Sequence, residues 1–127
     1  LSPGVFVAEG AVVRDSILFT DCIVGPGSVV DRSILDKHVV VGADVQLGNG
    51  EDTRPNRTQP RNLQSGITLV GKGARIPTGA SIGRNCLIAA DVIERDFQRF
   101  LSSNGHVGSD LPSGETVDVG SREASAR

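Results

Sequence analysis

Large aliphatic residues return along this chain every five or six positions. Val70, Ile76, Ile82 and Ile88 keep a strict interval of six, with Ala74, Ala80, Cys86 and Val92 four places after each. Val7, Val13, Leu18, Val24, Val30, Leu35, Val41 and Leu47 carry the same beat earlier, shortened to five between Val13 and Leu18 and between Val30 and Leu35. An amphipathic helix needs spacings of three and four, and a two-sided strand needs sustained alternation. A short strand and a turn, repeated until three sides close one coil, fits the beat. The longer repeat agrees: SILFTDCIVG at 16–25 returns seventeen residues later as SILDKHVVVG at 33–42, and VAEGAVVRDS at 7–16 is answered by VGPGSVVDRS at 24–33. Successive coils then lie about 4.8 Å apart and stack like side chains into ladders. Each buried rung contributes roughly 1.5–3 kcal/mol, so several coils are needed for stability. Glycines directly after an aliphatic residue, such as Gly71 and Gly83, read as corners where the backbone bends.

The pattern predicts a β-helix over 1–93, interrupted by an external loop at 48–66. That loop, GNGEDTRPNRTQPRNLQSG, has two prolines and only Leu63 as a large aliphatic residue. After Val92 the period changes, and Phe97, Phe100 and Leu101 give one apolar helical face. A short helix over 94–101 is expected to cap the last coil, because an open end of stacked strands invites pairing with other chains. Residues 102–127 read as a polar, mobile tail with one short strand at ETVDV.

Composition sharpens this picture. Four Phe, no Trp or Tyr and sixteen Gly leave an aliphatic interior suited to a narrow solenoid. A net charge of -2 gives no electrostatic case for nucleic acid or an anionic membrane. Neither a spanning apolar run nor a secretory signal pattern is visible, so the cytoplasm is the expected compartment. The absence of Met, together with a start inside a repeat, is expected of a piece of a longer protein.

Catalytic constellations are not discernible. Cys22 and Cys86 fall at small inward positions and read as buried structural thiols. His38 and His106 are the only histidines, too few for a three-histidine zinc site, and no metal site is expected. A lone His38 leaves a hexapeptide acyltransferase open as an alternative, and a purely structural oligomerisation module is another. Asn56-Arg57-Thr58 matches a glycosylation acceptor, but no secretory signal accompanies it. Arg54, Arg57 and Arg61 in the loop are candidates for an anion or partner contact. Lys37 and Lys72 are the only lysines, each third in its unit and so on an outward corner, where two ammonium groups can hold a phosphate-bearing small molecule.

Parallel crossovers are right-handed as a rule, and nothing in the spacing reverses that. These units, however, resemble the hexapeptide repeat of left-handed parallel β-helices, which implies the left hand. SGITLVGKGARIPTG at 65–79 resembles the C-terminal signature of ADP-glucose pyrophosphorylases, the glucose-1-phosphate adenylyltransferases, in which Ser-Gly-Ile, a Val, a Lys and Ile-Pro-x-Gly recur in this order. SILDKHVVVGADVQL and VRDSILF are similar to other segments of that family, and the likeness covers roughly residues 5–95. It implies a non-catalytic oligomerisation and allosteric domain of an enzyme making ADP-glucose and pyrophosphate from ATP and glucose 1-phosphate, for glycogen or starch synthesis. Implied partners are an N-terminal nucleotidyltransferase domain with Mg2+, further subunits in a homo-oligomer or heterotetramer, and a phosphorylated metabolite effector. The effector lysines of the family fall on Lys37 and Lys72. The chain departs from plant members where Gly71 and Gly73 flank Lys72, and where ASIGRNCLIAADV continues the repeat. It lacks the Gly-rich nucleotide loop, so no cofactor is expected in this part and no turnover by it. A guanylyl- or uridylyltransferase with a similar prism stays open.

Overall fold

A computed structural model describes residues 2–103 and 110–119. It contains three parallel sheets, visited in rotation. The first holds β1 (Phe6–Val7), β4 (Ile23–Val24), β7 (Val40–Val41) and β10 (Arg75–Ile76). The second holds β2 (Val12–Arg14), β5 (Val29–Asp31), β8 (Gln46–Leu47), β11 (Ser81–Ile82) and β13 (Asp110–Leu111). The third holds β3 (Ile17–Leu18), β6 (Ser33–Leu35), β9 (Thr68–Val70), β12 (Leu87–Ile88) and β14 (Thr116–Val117). Each strand is two or three residues long because the next corner follows at once.

The beat of five or six is now accounted for by register. Val7, Val24, Val41 and Ile76 form one ladder. Val13, Val30, Leu47, Ile82 and Leu111 form the second, and Leu18, Leu35, Val70, Ile88 and Val117 the third. The ladders point inward and share one core with Cys22, Ala74, Ala80 and Cys86, all four fully buried. Side chains of like size lie over one another, so the narrow interior fills without aromatic rings.

The glycines directly after the aliphatic positions are not needed for the bend. Gly71 and Gly83 lack a left-handed φ; instead, a Cβ at Gly71 would run into the Ala90 backbone nitrogen, and one at Gly83 into that of Ser113. Close approach of the next coil excludes a side chain there. The left-handed residues come two positions later, and Asp21, His38, Asp44, Asn85 and Asp91 occupy that conformation as well as glycines do. Short polar side chains tolerate it best.

The helix and tail differ from expectation. The helix α1 runs Glu94–Ser103, two residues longer than 94–101, and buries Phe97 and Leu101 with Phe100 partly covered. Asp96 Oδ2 accepts the Ile93 N–H at 2.9 Å, satisfying one donor that the helix start leaves open. Yet α1 does not end the prism. It stands after β12, where another strand of the first sheet would fall, and the chain then returns to add β13 and β14 to the other two sheets. Residues 110–119 are therefore part of the solenoid, not the polar tail of the sequence reading; Leu111 and Val117 supply its last rungs. The ETVDV strand is present as β14. The remaining tail positions, and His106, lie outside the described residues.

Candidate functional site

The corner between the third and first sheets brings both lysines together. Lys37 follows β6 and Lys72 follows β9, so they stand on one edge in consecutive coils although thirty-five residues separate them. Backbone bonds fix the stacking. Gly73 N–H donates to Lys37 O at 2.9 Å, Asp91 N–H donates to Lys72 O at 2.9 Å, and His38 N–H donates to Thr20 O at 3.0 Å. Thr20, Lys37, Lys72 and Ala90 thus form one column, with Asp21, His38, Gly73 and Asp91 beside it.

Both ammonium stems are exposed. Two positive charges about 5 Å apart in water repel by roughly 1 kcal/mol, and an anion between them removes that cost. Acids moderate the corner: Asp36 Oδ1 accepts the Lys37 N–H at 2.7 Å, and the Asp91 carboxylate lies over Gly73, where a Cβ would meet its Oδ1. His38 Nδ1 stands 3.7 Å from Asp21 Oδ2, with both side chains about half exposed.

The loop arginines have a different setting. Arg54 Nε lies 2.9 Å from Asp52 Oδ2, and the Arg54 backbone N–H and guanidinium hold the Asp52 carboxyl below its ordinary range. Arg57 Nη1 lies 2.9 Å from Glu115 Oε1. Arg61 is exposed. Two of the three thus already have carboxylate partners.

Three residues organise the loop: Asn56, which the sequence offers only as a glycosylation match, and Asn85 and Arg84, which sequence reasoning did not single out. Asn56 is fully buried; its Nδ2 donates to Asn85 O and Glu115 O, and its Oδ1 accepts from Thr58, Gln59 and Thr116. Asn85, also buried and at φ 56°, donates to Thr53 O and Arg54 O and accepts the Gly66 N–H. Arg84 Nε donates to Gly50 O at 2.6 Å and its Nη2 lies 3.7 Å from Asp31 Oδ2, while its buried Nη1 has no hydrogen-bond partner among the described residues. A cleft of about 220 Å3 opens beside it, bounded by Arg14, Asp31, Gln46 and Glu51. The available signal was an Asn at a position requiring positive φ; Arg84 offered none.

Cys86 donates its thiol to Pro112 O at 3.2 Å, and Cys22 donates to Asp36 O at 3.0 Å. Burial pushes both thiols up, Cys86 to about 11 from 9.0. At pH 8 Cys86 holds roughly 0.1% thiolate, so iodoacetamide should leave it unmodified in the native chain and alkylate it promptly in urea. The folded value exceeds the unfolded one, so its contribution to stability is complete below about pH 9 and declines as pH rises toward 11. Among the described residues no cluster of His, Cys, Asp and Glu is arranged to hold a metal, and no helix is long and apolar enough to cross a membrane.

A family model described as GlmU-like, C-terminal hexapeptide matches residues 1–70. The chain belongs to that family. Members of the GlmU-like hexapeptide family share the repeat whose ladders are described above. Within curated proteins, the chain is 54% identical over 105 residues to the glucose-1-phosphate adenylyltransferase of Thermomicrobium roseum, covering 83% of this chain and 22% of that protein. It is 39% identical over 97 residues to the enzyme of the same name from Acetivibrio thermocellus, covering 76% and 22%. The chain therefore spans about a fifth of the length of these relatives. The solved acetyltransferase domain of PglB from Neisseria gonorrhoeae FA1090 aligns over 91% of this chain and 48% of its own, at 22% identity and a TM-score of 0.33, a level that bears on neither fold nor activity.

Proposed function

We propose that this hexapeptide prism is a non-catalytic oligomerisation and allosteric module of a nucleotidyltransferase resembling glucose-1-phosphate adenylyltransferase, and that Lys37 and Lys72 bind the phosphate of a metabolite effector. The observation that carries the proposal is the stacking of the two lysines on one corner, inside a stretch 54% identical to such an enzyme. A match of 105 residues in a chain of 127 has to include both positions. The nucleotidyl transfer, its Mg2+ and the sugar nucleotide belong to the part of the relatives that this chain does not match. Cytoplasmic residence and assembly with further subunits are part of the same proposal.

An anion that binds one arrangement of prism and catalytic portion better than another shifts activity by that difference. Fructose 1,6-bisphosphate and 3-phosphoglycerate, titrated into the chain and followed by NMR shifts, should perturb the corner at 36–38 and 71–73. Lys37→Ala and Lys72→Ala should each weaken binding about 10–100-fold, as loss of one charge-assisted hydrogen bond implies. Equal binding by the double variant would remove the effector site. The chain alone should show no adenylyl transfer.

A further inference from the structure

The corner between the second and third sheets carries an arginine whose donors are largely unused. Arg84 follows β11, and its side chain is only 12% exposed. A guanidinium has five N–H donors, yet here Nε alone makes a hydrogen bond, to Gly50 O at 2.6 Å. Nη1 is enclosed without a partner among the described residues, and Nη2 stands 3.7 Å from Asp31 Oδ2, too far to bond. Arg14 Nη2 lies 3.6 Å from the same Oδ2. The Asp31 carboxylate, itself mostly buried, thus sits between two guanidiniums without a hydrogen bond to either. Buried polar groups in folded proteins are nearly always bonded. Donors and an acceptor held this loosely leave room for oxygen atoms from outside the chain.

The cleft of about 220 Å3 opens on this group. At roughly 30 Å3 per water it has room for about seven, the scale of one small ring and not of an extended chain. Its formal charges cancel, Arg14 and Arg84 against Asp31 and Glu51. A bound anion would face two carboxylates and a bound cation two guanidiniums, each at a Coulombic cost. A neutral molecule with adjacent hydroxyls meets neither cost, because a hydroxyl accepts from a guanidinium and donates to a carboxylate. Gln46 on β8 adds an amide, and the outward-facing Val29 on β5 gives the C–H face of a ring an apolar wall. We propose that this cleft binds one sugar residue, a free hexose or the end of a glucan chain, with Arg14 and Arg84 as donors and Asp31 as acceptor. The site is separate from the lysine corner, which lies between the third and first sheets, and it does not depend on the effector reading.

The Arg84 Nε–H can be followed by NMR while glucose, maltotriose and inorganic phosphate are added separately to the chain. The sugars should shift it, together with the backbone amides of 46–51, and saturate in the millimolar range; phosphate should leave these signals in place. Maltotriose binding more tightly than glucose assigns the end of a glucan, and maltotriose binding no better assigns the free hexose. Arg14 is 58% exposed, so Arg14→Gln should fold with nearly the same urea midpoint. Its sugar affinity should nevertheless fall about 10-fold, as loss of a hydrogen bond from a charged donor implies. Sugar binding by Arg14→Gln as tight as by the unsubstituted chain would overturn the site. Phosphate moving these signals as far as the sugars do would overturn it in favour of an anion, and silence from all three probes would leave the cleft to water and overturn it as well.

Discussion

Ile82→Ala should lower the unfolding free energy by about 2–5 kcal/mol, the range found for large-to-small changes in packed cores. Ile82 is fully buried and stands in register between Leu47 below and Leu111 above. A coil has one inward rung per side, so no neighbouring side chain can swing into the space without leaving its own ladder. The loss should therefore sit at the high end of the range, and urea titration should show a lower midpoint with an unchanged slope. Ile82→Val, which removes one methylene group, should cost only about 0.5–1.5 kcal/mol. A loss below about 1 kcal/mol for Ile82→Ala would mean that the interior is not close-packed.

The second large effect belongs to the loop. Asn85→Ala should destabilise the protein by about 3 kcal/mol, since it orphans Thr53 O, Arg54 O and the Gly66 N–H and puts alanine at a positive φ. Asn85→Gly keeps the backbone freedom and loses the same bonds, so it separates the two causes and should recover about 1 kcal/mol. Both variants should be cut by trypsin after Arg57 or Arg61, the Arg54–Pro55 bond being resistant, before the rest of the molecule unfolds. If the loop stays as resistant as in the unsubstituted chain, the asparagine is not its anchor.

These two residues also show what was readable in advance. Ile82 is legible because its role is periodic: the strict interval from Val70 to Ile88 states inward direction and stacking at once. Asn85 occupies a left-handed corner position that Gly, Asp or His fills in other coils, and its partners at Thr53, Arg54 and Gly66 lie across a segment without periodicity. Long-range hydrogen bonds of that kind leave no trace in composition. The lysines fall between. Each was readable as an outward corner, but their adjacency depends on the 48–66 segment leaving and re-entering at one corner, which the spacing alone does not state. ETVDV is readable as a strand, but the place of 110–119 in the solenoid is not, because Leu111 and Val117 are only two rungs, diluted by Ser, Gly and Pro. Gly71 and Gly83 were read as bends because crowding by the next coil involves residues eighteen to thirty positions away.

The excursion at 48–66 departs after the second sheet and rejoins at the third, and Leu35 still meets Val70 in register. Contour length at that one corner is consequently uncoupled from the rise of the coil. Lengthening it twofold adds only about 0.6 kcal/mol of closure entropy. Growth of this fold by insertion therefore has this corner as one address and the break in the first sheet at α1 as another, since the ladders resume in register beyond both.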